Sequence, residues 1–357
     1  MRVTTLVVLA MGTYLIFTAP PVSAADEGFN IVTSPLPIKL TTAPGRTVTA
    51  DLRIKNLNTK TENIKIGLMK FGATGSDGQP NIFDLTPKDT YASWVHFSPE
   101  IVKAESNVWK TIKMTINVPN DATLGYYLAV TYSRASDPTK NTGTNFRGAA
   151  ATLVLLDVKT GSEKRSLEFV DFSVDHKLYE YLPVNFSVKV HNNGNIYLAP
   201  TGNIFIEKGG KPVTSIVFNE AGGSVLPQSN RVYHVPWKSG FPLYVDELKD
   251  DKPVLDDHGL PKQKLTWDFS QASRIRFGHY TARVIIVYDD GTRDVPLEAT
   301  VSFWVIPWKL LLVALVIVAL LGFAIFTFVR SFFRRARSGA TKIKSKREKK
   351  PSRHDRT

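Results

Sequence analysis

The residues best suited to chemistry in this chain form an acidic stretch in its second half. Carboxylates in such number can supply the roughly six to eight oxygen ligands that Ca²⁺ prefers. Three lysines, Lys249, Lys252 and Lys262, are interleaved with the acids, and the spacing matches no EF-hand loop. The pattern therefore favours a solvated, self-neutralising loop, and we predict no metal site and no cofactor. The stretch comprises Asp246, Glu247, Asp250, Asp251, Asp256, Asp257 and His258.

Other catalytic groupings are missing from the sequence. The seven histidines are scattered, with no H-E-x-x-H pair, no G-x-S-x-G segment and no cysteine to act as a thiol nucleophile. Catalysis needs a nucleophile, a base and an orienting residue close together, and no such set can be named here. We therefore predict that the protein is not an enzyme.

Aromatic side chains around the acidic stretch suggest binding instead. Exposed aromatic faces stack on sugar rings or anchor a protein partner. A Trp on an alternating strand more often points into the core, so core packing stays the more frequent alternative for Trp237 and Trp267. The possible ligand or partner surface comprises Trp237, Phe241, Tyr244, Trp267 and Phe269.

A membrane anchor near the end of the sequence would position these residues. Residues 310–329 contain no charged side chain. Twenty residues at about 1.5 Å each cover roughly the 30 Å of a bilayer's hydrocarbon core, so we predict a transmembrane helix at 308–329. Trp304 and Trp308 fall where an interfacial aromatic belt would place them.

The charge that follows this span predicts its orientation. Residues 330–357 carry twelve Lys and Arg, among them Arg330, Arg334 and Arg335, against two acidic residues, a net charge of about +10. Positive residues flanking a span are retained on the cytoplasmic side. We therefore predict a basic cytoplasmic tail at 330–357 and an extracellular ectodomain, a single-pass type I arrangement in the cell membrane.

The start of the sequence predicts the same orientation. Arg2 precedes an apolar stretch at 3–17, and Val22 and Ala24 fit the small-residue cleavage rule. We predict a signal peptide at 1–24, cut after Ala24. An uncleaved N-terminal anchor is the alternative, because one positive charge makes a weak n-region.

The net charge of +13 does not indicate nucleic-acid binding. About +10 of it belongs to the tail and +1 to Arg2, which leaves about +2 for the ectodomain. Without a basic stripe to follow a phosphate backbone, we predict no nucleic-acid partner.

The sequence contains no cysteine. Burial of apolar side chains must therefore hold the fold together, and the absence of disulfides suggests a bacterial surface protein rather than a eukaryotic secretory product.

Period-two alternation dominates the ectodomain, which predicts an all-β fold. About seven short strands per roughly 130 residues is the spacing of immunoglobulin-like β-sandwiches. We predict two in tandem, at 25–160 and 166–305. In the first, strands 48–54 and 64–68 are predicted to form an antiparallel pair. The other predicted strands are 108–118, 125–132, 149–158, 167–174, 184–190, 204–207, 213–218, 232–237, 280–288 and 295–304.

Short motifs in both domains resemble those of a family of bacterial surface proteins. Domain 1 has Pro44-Gly45, Ile54-Lys55-Asn56, Phe97-Ser98-Pro99, Trp109-Lys110-Thr111-Ile112, Val118-Pro119 and Gly125-Tyr126-Tyr127. Domain 2 has VKVHNNGN at 188–195 and Pro200-Thr201-Gly202. With an export signal, tandem domains, one span and a basic tail, the chain resembles the WxL-interacting surface proteins. The resemblance implies that domain 1 is associated with peptidoglycan and domain 2 with holding WxL-type partners.

These features together predict a non-catalytic, membrane-anchored surface protein that attaches to cell-wall polymer (peptidoglycan), to a surface protein partner, or to both. The alternative is an accessory scaffold or chaperone-like immunoglobulin protein that stabilises another envelope protein by edge-strand pairing. A glycan-binding module should present exposed aromatic side chains, whereas a strand-pairing scaffold should leave a sheet edge uncovered.

Overall fold

The computed structural model describes residues 28–136 and 150–347, with side chains through residue 331. The predicted signal peptide, most of the connection at 133–148 and the last ten residues of the tail lie outside the described residues. The chain divides into two compact units. The first comprises Met1–Gly72 and Asn81–Gly161, and the second comprises Ala73–Pro80 and Ser162–Thr357.

The first unit is a sandwich of two β-sheets. Its strands are β1 (Ile31–Ser34), β2 (Ile38–Thr42), β3 (Thr47–Asn56), β4 (Glu62–Ala73), β5 (Pro80–Phe83), β6 (Val95–Ser98), β7 (Ile101–Ala104), β8 (Trp109–Asn117), β9 (Gly125–Arg134) and β10 (Ala150–Val158). One sheet has the order β1-β3-β8-β6; the other has the order β2-β10-β9-β4-β5, with β7 also paired to β4. A short 3-10 helix, Thr90–Trp94, precedes β6.

The core of this unit lies between the two sheets. Leu52 and Ile54 of β3 and Leu128 and Val130 of β9 alternate along their strands and are buried in one cluster. Burying an aliphatic side chain of this size contributes about 1.5–3 kcal/mol. Burial therefore replaces the disulfides that the chain cannot form.

The predicted antiparallel pairing of strands 48–54 and 64–68 is wrong. The first of these is β3, which pairs with β1 and β8. The second is β4, which pairs with β7 and β9 in the opposite sheet. Both strands exist, but the chain crosses between the two sheets where a hairpin was expected.

A buried asparagine turns the chain at this crossing. The side-chain Nδ2 of Asn56 donates to the carbonyl oxygens of Lys60, at 2.8 Å, and Ala104, at 3.0 Å. Its Oδ1 accepts from the backbone N of Asn58 at 2.9 Å. Three polar groups of an interior corner are satisfied by one amide, which avoids the cost of leaving them unpaired.

Two of the motifs that carry the family resemblance contact each other in this unit. Gly45 has a φ of 72° and its backbone N donates to the carbonyl oxygen of Pro119 at 3.1 Å. A Cβ at Gly45 would lie 2.1 Å from Oδ1 of Asn120. The obstacle is the end of a movable side chain, so the positive φ is what favours glycine at this turn, which packs against the segment after β8.

The second unit is also a sandwich of two β-sheets. Its strands are β11 (Leu167–Val174), β12 (Leu178–Tyr179), β13 (Val184–Asn192), β14 (Thr201–Lys208), β15 (Lys211–Phe218), β16 (Asn230–Trp237), β17 (Leu243–Asp246), β18 (Leu248–Lys249), β19 (Lys252–Pro253), β20 (Gln263–Thr266), β21 (Gly278–Asp289) and β22 (Asp294–Val305). The sheets have the orders β11-β13-β16 and β12-β22-β21-β14-β15. Two ribbons, β17-β20 and β18-β19, and a 3-10 helix, Phe269–Arg274, complete the unit.

The corner of the first unit recurs in the second. Nδ2 of Asn192, at the end of β13, donates to the carbonyl oxygens of Ile196, at 2.8 Å, and Val225, at 2.9 Å. Its Oδ1 accepts from the backbone N of Gly194 at 2.8 Å. Elsewhere in the unit, the carboxylate of Asp290 accepts from the backbone N of Thr292 at 2.8 Å, which closes the hairpin between β21 and β22.

A single helix, α1 (Trp308–Arg347), follows the second sandwich. Its segment Trp308–Ser331 is long and apolar enough to cross a membrane, judged by length and composition. The helix continues beyond the predicted end of the span at 329, because the lysines and arginines that follow are good helix formers.

The predicted fold class is confirmed: two immunoglobulin-like β-sandwiches in tandem precede one apolar helix. Each predicted strand overlaps a strand of the structure. The sequence analysis missed short strands, namely β1, β2, β5, β6, β7, β12, β17, β18, β19 and β20.

Candidate functional site

Four of the five predicted surface aromatics come together in the second unit. The ring of Phe241 lies 5.8 Å from that of Trp267 and 5.4 Å from that of Phe269, centroid to centroid. The rings of Trp267 and Phe269 are stacked at 6.5 Å. Tyr181 joins Tyr244 to the group, at 5.9 Å from Tyr244 and 6.4 Å from Trp267. We call these five residues the aromatic cluster.

The base of the ribbon β17-β20 positions the cluster. Leu243 of β17 pairs with Thr266 of β20, which brings the residues on either side of the ribbon together. The backbone N of Phe241 then donates to the carbonyl oxygen of Arg274 at 3.0 Å. Asp268 caps the 3-10 helix by accepting from the backbone N of Ser270 at 3.1 Å, which sets the direction of the chain at Phe269.

The cluster is open to solvent on one side. Phe241 is only 8% exposed and forms its floor, whereas Trp267 is 44% and Phe269 is 73% exposed. Exposed apolar groups that are contiguous mark interaction sites more often than single exposed residues do. The cluster is therefore a candidate binding surface.

Trp237 does not belong to this surface. Its side chain is 1% exposed and packs against Tyr280, with ring centroids 5.3 Å apart, and against Phe303 at 6.1 Å. The guanidinium of Arg276 lies 5.5 Å from the centre of the indole ring. Trp237 points inward from β16 because it sits on the core-facing phase of that strand, the alternative that the sequence left open.

The structure adds two residues that the sequence analysis missed. Tyr181 bridges the two halves of the cluster, and the carboxylate of Glu180 lies beside it. Tyr244 donates from its hydroxyl to Oε2 of Glu180 at 3.4 Å. Burial, and then the negative charge of Glu180, raise the pKa of both tyrosines, so both hydroxyls stay protonated as donors near neutral pH. The dense run Tyr179-Glu180-Tyr181 was the only signal in the sequence.

Glu180 also connects the cluster to the helix α1. Its Oε2 lies 2.6 Å from Nζ of Lys309, in the first turn of the helix. The Glu180 side chain is largely buried, and its two partners come from β17 and from α1. The cluster and the start of the helix thus belong to one connected end of the second unit.

The predicted membrane-interface residues lie at this end or along α1. Trp304 is the penultimate residue of β22, with its ring 4.9 Å from that of His279, and Trp308 begins the helix; both tryptophans are exposed. Arg330 is exposed on the helix. Arg334 and Arg335 lie within the helix, in the part for which the backbone alone is described.

The acidic stretch forms the outer part of the β17-β20 excursion. The carboxylate of Asp256 accepts from the backbone N of His258 and of Leu260, both at 2.9 Å, and so caps its own turn. Glu247 faces Lys262 at 3.9 Å. Among the residues that the structure describes, no three acidic or histidine side chains come together as a metal-binding group.

An uncovered sheet edge lies elsewhere in the second unit. β15 is the last strand of its sheet and pairs with β14 alone. A groove between β15 and β16 is lined by Ile216, Val217, Tyr233 and Val235, among others. Val217 is 56% exposed. This edge is the second candidate surface.

Comparison with known proteins identifies no family: no family model and no curated protein matches the chain. Among solved structures, the class 5 fimbriae chaperone CfaA is similar over 75% of this chain and 98% of its own, with 13% identity and a TM-score of 0.35. The Pseudomonas aeruginosa CupB2 chaperone matches with 12% identity over 77% of this chain and 100% of its own, with a TM-score of 0.31. The Acinetobacter baumannii CsuC-CsuE chaperone-tip subunit complex matches with 12% identity over 75% of this chain and 97% of that chain, with a TM-score of 0.33. Similarities this distant assign no residue a role.

Proposed function

We propose that the protein is a non-catalytic, membrane-anchored cell-surface binding protein, with both sandwiches outside the cell and the basic tail inside. The observation that carries the proposal is the continuity of β22 with α1. Only Ile306 and Pro307 separate the last strand of a sandwich from an apolar helix of membrane-spanning length. Such a connection holds the sandwich at the membrane surface.

The distribution of charge supports the orientation. Between Lys309 and Arg330 the helix carries no charged residue, and basic residues follow its far end. Positive flanking residues favour the cytoplasmic side, so the sandwiches occupy the opposite side. The predicted secretory signal peptide at 1–24 would direct the two sandwiches across the membrane to the outer side.

The ionisable groups with perturbed pKa values support a structural role over catalysis. Asp89 lies in a set of hydrogen bonds: it accepts from Nζ of Lys70 at 2.8 Å, from Oγ1 of Thr86 at 2.7 Å and from the hydroxyl of Tyr91 at 3.1 Å. Lys70, and then Thr86, hold the pKa of Asp89 well below its ordinary value. The bond from Lys70 ties the segment before the 3-10 helix to β4, and the bonds from Thr86 and Tyr91 fix that segment and the first turn of the helix, which is what a scaffold requires.

The family resemblance of the sequence motifs leads us to propose peptidoglycan and a WxL-type surface protein as the two partner classes. The free edge of β15 is a surface with the chemistry to bind a protein partner. The wall-binding part is testable with the full-length protein in nanodiscs. We expect it to co-sediment with purified peptidoglycan, and sedimentation no greater than that of empty nanodiscs would contradict this part.

A second candidate function, stabilisation of another envelope protein by edge-strand pairing, is favoured by β15. A register shift between Ile206 and Glu207 of β14 disrupts the start of the β14-β15 pairing, and Pro212 lacks a backbone donor. The regular part of the edge is therefore 214–218, five residues, about the length of a typical strand. A partner strand can add to this segment without displacing any strand of the sheet.

Site-specific photo-crosslinking in the producing cells tests this mode. A photoreactive side chain at Val217 should give a discrete crosslinked protein band, because Val217 is an exposed residue of the edge strand and a partner strand would lie next to it. The matched control is Val170 on β11, an exposed valine on the edge strand of the other sheet, 47% against 56%, so the comparison tests whether pairing is specific to the edge at β15. Equal crosslinking at both positions, or none at Val217, would contradict edge pairing at β15.

A further inference from the structure

The end of the second unit from which α1 leaves is held close to the helix. Two residues separate β22 from α1, and two residues span at most about 7 Å. The backbone N of Ile306 donates to the carbonyl oxygen of Tyr179 at 2.8 Å. The ion pair between Glu180 and Lys309 adds a side-chain contact to the first helical turn. If α1 spans a bilayer, this end of the sandwich therefore lies at its surface.

The aromatic cluster belongs to the same end. Glu180, the partner of Lys309, accepts a hydrogen bond from Tyr244, and Tyr181 links Tyr244 to Trp267. One hydrogen bond and two ring contacts therefore connect Glu180, which faces the helix, to the exposed indole of Trp267. Phe269, stacked on Trp267, is the most exposed ring of the cluster.

More exposed apolar side chains occupy this end. Ile275 follows the 3-10 helix and forms a β-bridge with Phe241. The strand register places Gly278, which follows Phe277, opposite Val305 at the end of β22, and places Leu178 opposite Trp304. We call the whole set the helix-proximal apolar patch; it comprises Leu178, Trp267, Phe269, Ile275, Phe277, Trp304 and Trp308, all exposed.

The polar residues around the patch fit a lipid surface. Lys177 and Arg274 are exposed beside it and can reach lipid phosphates while their aliphatic stems lie against apolar groups. Asp268, exposed between Trp267 and Phe269, accepts hydrogen bonds from the backbone N and the Oγ of Ser270, at 3.1 and 2.7 Å. The acids of the excursion lie toward the other end of the ribbon: Asp246 pairs with Gln263, three residues from the Leu243–Thr266 pair at its base. Aromatic side chains with a polar atom, such as Trp, are enriched where a membrane meets water.

We propose that the helix-proximal apolar patch binds the lipid of the same bilayer that α1 spans, at the level of the outer headgroups. Trp267 and Phe269 are its central contacts. The second sandwich is then held on the membrane by its own surface as well as by the helix, which restricts its tilt. The inference rests on the proposed membrane anchoring, and it assigns the aromatic cluster to lipid rather than to a wall polymer.

The absence of cysteine makes a labelling test direct. The full-length variant Phe269→Cys, carrying an environment-sensitive NBD label, is reconstituted into phosphatidylcholine nanodiscs with and without lipid that bears a nitroxide near the headgroup. We expect the nitroxide to remove about half of the emission, because interfacial side chains insert about 5–10 Å. The matched control is Val217→Cys, an exposed apolar position on β15, whose emission should stay unchanged.

A third label separates this inference from the anchoring on which it rests. Leu320→Cys lies near the middle of the apolar helix, and lipid with a nitroxide deep in its acyl chain should quench a label there. Quenching at 320 without quenching at 269 would overturn the patch while leaving the anchor intact. Quenching at neither position would overturn both. Equal quenching at 269 and 217 would show non-specific adsorption of the sandwich and would also overturn the proposal.

Discussion

At the scale of single residues, the two sandwiches share one device, a buried asparagine that ends a strand and turns the chain toward the opposite sheet. Asn56 and Asn192 each donate to two carbonyl oxygens and accept from one backbone N. An amide is the side chain that offers both two donors and an acceptor at this size. An aspartate would present only acceptors to the two carbonyls.

Asn192→Asp should therefore destabilise the second unit by about 2–4 kcal/mol, because two buried carbonyls lose their donor and a charge is left without a partner. The measurement is the free energy of unfolding in urea. Asn195→Asp is the control, since Nδ2 of Asn195 also donates to a carbonyl oxygen, that of Ser162 at 3.0 Å, but at an exposed site. A similar loss in both variants would show that burial of the corner is not the cause.

Asp89 should make the stability of the first unit depend on pH. Its pKa in the folded state lies below the ordinary 3.8, so its contribution is fully present well above pH 3.8 and is lost as the pH falls toward the folded pKa. Asp89→Asn should cost about 1–3 kcal/mol at pH 7, from the loss of charged hydrogen bonds, and clearly less at pH 3. Urea unfolding of both proteins across this range is the measurement.

The partner residue supplies the control for this pH effect. The bond from Lys70 is the largest cause of the lowered pKa. In a Lys70→Met background, the cost of Asp89→Asn should therefore change much less between pH 7 and pH 3. A cost that is the same at both pH values in the unmodified background would refute the assignment to Asp89.

The residue scale also shows the limit of sequence-based prediction at the candidate site. Trp237 and Trp267 occur in the same aromatic-rich stretch, yet one is buried and the other exposed. The difference arises because β16 packs its alternate residues into the core, whereas Trp267 follows a short ribbon strand outside the main sheets. Composition identified the stretch, and only the packing of the strands decides which rings face solvent.

At the scale of elements, β14 depends on close contact with β21. Gly202 lies opposite Ile286, and a Cβ at Gly202 would lie 2.1 Å from the carbonyl oxygen of Ile285. No neighbouring side chain can move to relieve this contact, because the obstacle is backbone. The Pro200-Thr201-Gly202 motif thus has a packing explanation within the sandwich.

Gly202→Ala should therefore destabilise the second unit by about 1–3 kcal/mol or more, the cost of forcing backbone apart in a packed sheet. The midpoint of thermal or urea unfolding measures it. Gly209→Ala is the control in the same hairpin: a Cβ there would meet nothing within 4 Å, and only its positive φ of 57° opposes the change. That strain costs about 1 kcal/mol. Greater stability loss at Gly209 would contradict the steric argument.

The elements themselves were largely predictable, but their partners were not. Alternation identified β3 and β4 because each has one buried face. Alternation could not show which sheet each strand joins. The same pattern fits two strands joined by a hairpin within one sheet and two strands joined by a turn that crosses to the other sheet. The short strands β17 and β20 were missed because four residues with mixed exposure show little periodicity.

At the scale of the whole molecule, the chain has no cysteine for a disulfide, and its described residues form two β-sandwich units and one apolar helix. Its described titratable and aromatic clusters lie within individual units, where they serve packing or form part of the surface. The features that would make it a surface protein are concentrated in α1 and the residues next to it. The anchor is therefore the part of the proposal on which the others depend.

Charges placed in the middle of α1 should release the protein from the membrane. Leu315→Arg combined with Leu320→Arg adds about 2.5–3.5 kcal/mol per residue to the cost of insertion at the helix centre. Both positions are exposed along the helix, so the change disturbs no sandwich core. We expect the variant to leave the membrane fraction on alkaline carbonate extraction, whereas Leu315→Ala with Leu320→Ala should stay.

Single cysteines report the orientation of the helix. An impermeant maleimide should label Ser302→Cys on β22 in intact cells, and should label Ser338→Cys beyond the span only after permeabilisation. Labelling of Ser338→Cys in intact cells would contradict the proposed topology, and retention of the arginine variant in the membrane would show that α1 is not the anchor.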